Sequence, residues 1–445
     1  MLTAFYKNEK VPLTEAFGRE YPGYFVHPFA EYRALVRFCG VIDLTHWRVL
    51  RATGRDRAVF LNAMATNDVG SLEPSHGCHA MMTTAKGKIV SELFVFARKD
   101  DHLIVVSQGD FDETLGALRK HIVSEDVVID DVSAEHAILA VEGPKAKDVV
   151  GRLFPAGPLP KSSLDIMERE FERFSIWVMR NSVTGEAGYH VMVPAAEVLR
   201  IRDYLVQAAR GSDGLPIGLA AWNIRRVENG LPWYGVDYTN DNLPQEARLG
   251  HAVSYTKGCF RGQEILGRLE HRGHVNRLLV GLAPDGNALP ADVARRIEEI
   301  AGIGERALDD ELRARAARDA EVLDLRAHFP AGSAVHFAAP TGDADTAEPA
   351  AEFAADAASD SPGAAADADV SDAGRASSGT RGSSSADKAV GTITSSVYSF
   401  ALGRPMFMGY VRRESLGAAL AIQTPRGAVS AREIELPIGR DAGAV

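Results

Sequence analysis

The sequence predicts an α+β protein with a β-rich C-terminal unit, and three observations carry that expectation. Runs with strand composition alternate irregularly with runs that carry a single apolar stripe of helical period. Apolar residues make up 46% of the chain and charged residues 24%, as in a folded globular protein. A segment of about one hundred residues, 288–388, breaks that pattern before β-type sequence resumes. At 445 residues the chain exceeds what one compact core holds, so two or three domains are expected.

Taken in order, "HWRVLRATG" reads as a strand and "DRAVFLNAMAT" as a helix. "KIVSELFVFARKDDHLIVVSQG" is dense in β-branched and aromatic residues and reads as strand sequence. "DFDETLGALRKHIV" and "AAEVLRIRDYLVQAARG" each place apolar residues on one helical face. Between them, "AILAVEGP" is a strand, and "VEGPKAKDVVGRLF" runs from strand through turn into helix. Residues 290–328 are charge-rich and helix-prone, with Glu and Arg at i,i+4 spacings. Residues 340–388 are nearly all Ala, Asp, Ser, Gly and Thr. They cannot bury enough apolar surface to offset chain entropy, so disorder is expected there. "AVGTITSSVYSF" and "PMFMGYVRR" then return to strand composition.

Charge and cysteine usage narrow the function classes. The formal net charge is -11, but residues 340–388 alone carry ten acidic and three basic side chains. The remainder is near balance and offers no global basic face, so no direct nucleic-acid partner is expected. No apolar run reaches the roughly 18–20 residues that cross a bilayer, and the N-terminal residues lack a signal-peptide pattern. No membrane partner is expected. Three widely spaced cysteines argue against a disulfide framework, and the expected location is cytoplasmic.

The stretch "SYTKGCFRGQEILGRLEHRG" holds the most suggestive chemistry. Gly258 and Gly262 allow a tight loop around Cys259, and Lys257 and Arg261 place positive charge near its thiol, which favours the thiolate. Cys259 is either a working nucleophile or a packed residue, and the local sequence leaves both open. "SHGCH" brings His76, Cys78 and His79 close together, but no second half-site completes four ligands, so no metal is expected. "TGEAG" and "RRVENG" read as turn and helix-end sequence.

In order, "VIDLTHWRVLRATGRDRAVFLNAMATNDVGSLEP", "TAKGKIVSELFVF", "VTGEAGYHVMVP", "RRVENGLPWYGVD", "KGCFRGQE" and "VGTITSSVYSFALGRPMFMGYV" resemble the folate-binding aminomethyltransferase (GcvT) superfamily. The Lys-Gly-Cys-Phe-Arg-Gly-Gln-Glu run resembles its YgfZ-like branch. The resemblance implies a three-domain ring: two intertwined α+β domains within residues 1–275, then a β-barrel built from 276–287 and 389–440, with 288–388 as an insertion. It implies a tetrahydrofolate cofactor and, for the YgfZ-like branch, an accessory role in iron–sulfur cluster assembly or repair, with iron–sulfur proteins or assembly factors as partners. Cys259 and Lys257 would then be the catalytic pair. The alternative is a folate-dependent aminomethyltransferase acting with a lipoyl-protein or amine substrate. Glu92, His190, Trp222 and Arg226 fall at the family's folate-contacting positions. Glu92 keeps a carboxylate on a longer arm, whereas His190 and Trp222 replace a Glu and an Arg.

Overall fold

The computed structural model describes residues 2–438 apart from 156, 287, 303–309, 329 and 338–388. The expected disordered stretch at 340–388 lies outside the described residues.

Two sheets and a barrel organise the chain. A five-stranded antiparallel sheet runs Gly77–Thr83, Ile89–Ala97, His102–Gly109, Arg48–Thr53, Val128–Asp131. A six-stranded sheet runs Ile166–Phe171, Phe174–Met179, Gly188–Pro194, His136–Glu142, Gly40–Asp43, Leu215–Ile217, with only the last pairing parallel. The chain passes from the second sheet at Gly40–Asp43 to the first at Arg48–Thr53 and returns at His136–Glu142. The two sheets are therefore interleaved in sequence. The closed barrel is formed by Arg277–Pro284, Arg404–Arg412, Gly391–Ser399, Ala334–Phe337, Leu420–Thr424 and Gly427–Ile434.

Period-two alternation decides which face each strand buries. On His102–Gly109, Leu103 and Val105 join a core shared with the second sheet and the barrel, whereas Ile104 and Val106 pack outward under the helices Arg57–Met64 and Phe111–Lys120. Val41, Leu139, Val141, Val191 and Val193 likewise turn away from the shared core, against the helices Ala146–Gly151 and Val198–Arg210. Both sheets are covered on both faces, which is why Ile89–Ala97 is buried along its whole length. Asp110 caps the Phe111–Lys120 helix by accepting from the Glu113 amide at 2.8 Å.

The barrel takes one strand from sequence assigned to the insertion. Ala334–Phe337 pairs with Gly391–Ser399 and with Leu420–Thr424, and Val335 is fully buried. Four residues with one buried valine are too short a run to signal a strand; the neighbouring edges supply the pairing. The helices Ala291–Ala301 and Asp310–Leu323 dock on the body through a buried carboxylate. Asp319 accepts from His27 Nε2 at 2.9 Å, Arg296 Nη2 at 2.8 Å and Arg315 Nε at 3.0 Å. Among the described residues no helix is long and apolar enough to cross a membrane.

Candidate functional site

A cavity of about 810 Å³ lies where the first sheet, the helix Leu219–Glu228 and the barrel meet. This volume falls in the range of small-molecule sites. A two-stranded hairpin, Leu13–Ala16 and Arg19–Pro22, pairs with neither sheet and forms one wall. Its tip residues Phe17 and Gly18 both have positive φ, 54° and 70°, the turn that matches strand twist in a two-residue loop. The tip carries Phe17 onto the His46 ring, stacked at 4.2 Å, and edge-on to Trp233 at 5.1 Å. His46 is held neutral by burial, aided by the Arg19 charge, and its Nδ1 is enclosed without a hydrogen-bond partner. Gln108, Asn223 and Ser395 add polar groups, and Arg48 and Arg326 add cations.

Arg226, expected at the cofactor site, lines this cavity. Its side chain is almost fully occupied. It donates to Asn223 Oδ1 at 2.9 Å, to the Leu231 carbonyl at 3.1 Å, to Ser395 Oγ at 2.7 Å and to the Asp237 carboxylate, and it lies 4.1 Å over the Trp233 ring. Arg226 thus joins helix, turn and barrel at the cavity wall. The neighbouring Arg225, rather than Arg226, braces Glu228, at 2.7 Å, and pairs with Glu186 of "TGEAG".

Glu92 stands one layer behind the wall. Its Oε2 accepts from Gln108 Nε2 at 2.9 Å and from the Tyr238 hydroxyl at 3.1 Å; Gln108 faces the cavity and accepts from the Tyr234 amide at 2.6 Å. Trp222 is buried behind the aromatic lining, 4.9 Å from Trp233 and 5.5 Å from Phe17, with its Nε1 donating to the Val183 carbonyl at 3.0 Å. The stacking surface expected of Trp222 is covered by Phe17 and Trp233. His190 is elsewhere. It packs edge-on to Trp47 at 5.2 Å and lies 3.7 Å from Glu142, whose carboxylate is taken by Ser182, Val183 and Thr184.

Cys259 and Lys257 are not among the residues lining the cavity. Cys259 is exposed. The Lys257 ammonium turns to the C-terminal end of the Arg57–Met64 helix, donating to the carbonyls of Asn62 at 2.5 Å, Ala65 at 2.6 Å and Asn67 at 2.7 Å. A lysine at a helix C-terminus satisfies carbonyls that the helix leaves open. Its charge acts on Cys78, the thiol that burial pushes up to about 12. In the motif only Gly262 has positive φ, at 89°; a Cβ there would meet Thr83 Oγ1 at 2.6 Å. "SHGCH" resolves into a strand start: His76 contacts Asp165 at 2.9 Å, and no metal-holding group occurs among the described residues.

Residues 2–257 match the GCVT N-terminal domain. The chain belongs to the GCVT family. Similar GCVT-family proteins include the aminomethyltransferase of Herpetosiphon aurantiacus, 31% identical over 278 residues, 62% of this chain and 76% of that protein. The aminomethyltransferase of Bacillus subtilis is 30% identical over 276 residues, 61% of this chain and 76% of that protein. The fold is similar to that of the glycine cleavage system aminomethyltransferase T from Bartonella henselae, with a TM-score of 0.72 at 16% identity over 98% of this chain and 97% of that one. The expectation of an iron–sulfur accessory role, with iron–sulfur partners, is corrected by these relatives, which are transferases by name. The motif that carried it places its lysine on a helix end.

Sequence reasoning did not single out Phe17, His46, Gln108 and Trp233. "THW" and "LPW" show aromatic side chains near polar ones, but nothing local says that a hairpin tip from residue 17 closes on them.

Proposed function

We propose that this chain is a tetrahydrofolate-dependent aminomethyltransferase whose cofactor binds in the cavity between the first sheet, the helix Leu219–Glu228 and the barrel. Tetrahydrofolate is the cofactor of the family. The observation that carries the reading is the lining: an aromatic cluster of Phe17, His46 and Trp233 beside Gln108 and Asn223, with arginines within the same cavity. The fit to a folate is chemical. A pterin is a flat heteroaromatic plane that stacks on such rings, and its edge needs amide-type donors and acceptors. Its glutamate tail carries carboxylates, which would compete with Asp131 and Asp324 for Arg48 and Arg326. When bound, tetrahydrofolate supplies the nitrogens that accept the one-carbon unit.

The residues of the chain orient and shield. Gln108 presents one amide to the cavity and fixes Glu92 with it. Glu92 keeps a carboxylate behind that wall, where it orients Gln108 and is linked to the cavity through it. Arg226 holds helix and barrel together so that the cavity keeps its shape. Two sheets interleaved in sequence, followed by a closed barrel, support the three-domain ring.

Calorimetric titration with tetrahydrofolate tests the reading, together with release of ammonia from an aminomethyl donor that depends on both protein and folate. Micromolar binding that weakens about fivefold in Trp233→Ala is expected, for the loss of about 1 kcal/mol of stacking. Wild-type protein that neither binds the folate nor releases ammonia would remove the assignment.

A further inference from the structure

We propose that His79, supported by His251, is the positioning residue for the Glu92 carboxylate; the inference rests on the transferase reading for its catalytic meaning and on geometry for its existence. Glu92 and His79 come from adjacent strands. The register sets Met81 opposite Glu92 and His79 opposite Phe94, so His79 and Glu92 are diagonal neighbours on one face. The His79 ring stacks on Phe94 at 4.7 Å, which fixes its plane, and brings Nε2 to 2.8 Å from Glu92 Oε1. That approach is off the line of the ring N–H, so it is a close contact rather than an aligned hydrogen bond. Such contacts at catalytic carboxylates often tighten only when ligand binds.

The other ring nitrogen of His79 is engaged as well. Nδ1 lies 3.0 Å from Nε2 of His251, from the short turn Gly250–Ala252, and His251 has a second contact to the Arg248 backbone. Either nitrogen of this pair can be the donor, and in both tautomers the contact fixes the orientation of the His79 ring. This leaves His79 Nε2 and Glu92 Oε1 facing each other. The other oxygen, Oε2, is fixed by Tyr238 and Gln108, and Gln108 reaches the cavity. Three side chains, His79, Tyr238 and Gln108, thus converge on one carboxylate, with the exposed His251 behind His79 at one end and the cavity wall at the other. The additional methylene of Glu92, relative to an aspartate, lengthens its reach toward the diagonal ring.

Three measurements test this. In ligand-free protein, the ring nitrogen resonances of His79 should shift in both Glu92→Gln and His251→Gln. In turnover, His79→Ala should lower kcat at least tenfold while the tetrahydrofolate Kd stays within twofold, and added imidazole should restore part of the rate. His79→Gln, whose amide can donate to Oε1, should lie between. A His79 signal indifferent to Glu92→Gln would overturn the positioning role whatever the activity of the protein. A His79→Ala variant with unchanged kcat in an active enzyme would overturn its catalytic meaning. Absent folate binding and turnover in the wild type would instead count against the transferase reading, and the resonance measurement would still decide the contact.

Discussion

Removing the Asp237 carboxylate should destabilise the whole interface between helix and barrel. Asp237 is buried and accepts from Arg226, from the Trp233 amide at 2.9 Å, and from Thr394 Oγ1 and Ser395 Oγ at 2.6 Å each. Asp237→Ala leaves two hydroxyls that can turn to other acceptors, one amide without its partner, and the Arg226 guanidinium buried without its counter-charge. The last term dominates: an unpaired buried charge costs about 3–5 kcal/mol, against about 1–3 kcal/mol for the orphaned amide, and the terms overlap because they share one carboxylate. An overall loss of about 4 kcal/mol is expected, a large part of the stability of a domain. Replacing Arg226 by Met as well removes the stranded charge, so the double variant should be more stable than Asp237→Ala alone. Urea unfolding followed by tryptophan fluorescence reads both, since Trp233 sits under the Arg226 guanidinium. A single variant that loses less than about 1 kcal/mol, or a double variant whose loss equals the sum of the two singles, would refute the reasoning.

Two further outcomes follow from burial. Iodoacetamide should label the exposed Cys259 first and Cys78 and Cys39 only after unfolding, because burial pushes those two thiols up to about 12 and about 11; mass spectrometry of time points checks the order. His102 is 4% exposed with both ring nitrogens unpartnered, and burial, with Arg57 nearby, lowers it to about 4. The folded state therefore binds this proton more weakly than the unfolded chain. The stabilising effect is complete above the ordinary histidine value near 6.5 and is lost as pH falls towards 4, by about 3 kcal/mol at most. His102→Met should show a shallower loss over that window in urea titrations, and an unchanged slope would exclude His102 as its source.

The sequence by itself determined the elements whose periodicity is strong and the family they compose. Ile89–Ala97, His102–Gly109, Phe111–Lys120 and Val198–Arg210 fall where alternation or an apolar stripe places them, because each buries a face regardless of its partner. The order of motifs from "VIDLTHW" to "MGYV" likewise survives without any structure. The tertiary fold decided the rest. Ala334–Phe337 is a strand because two barrel edges wait for it, and the Leu13–Pro22 hairpin matters because its tip lands on His46. Lys257 looked like a partner for the adjacent cysteine, yet its ammonium reaches carbonyls some 190 residues earlier in sequence, where a helix end leaves them unsatisfied. Glu92 and His79 were separate motifs in the sequence and become one contact through strand register. Periodicity records which face of an element is dry. It does not record which residues from other segments share that face, and the cavity is built from such residues.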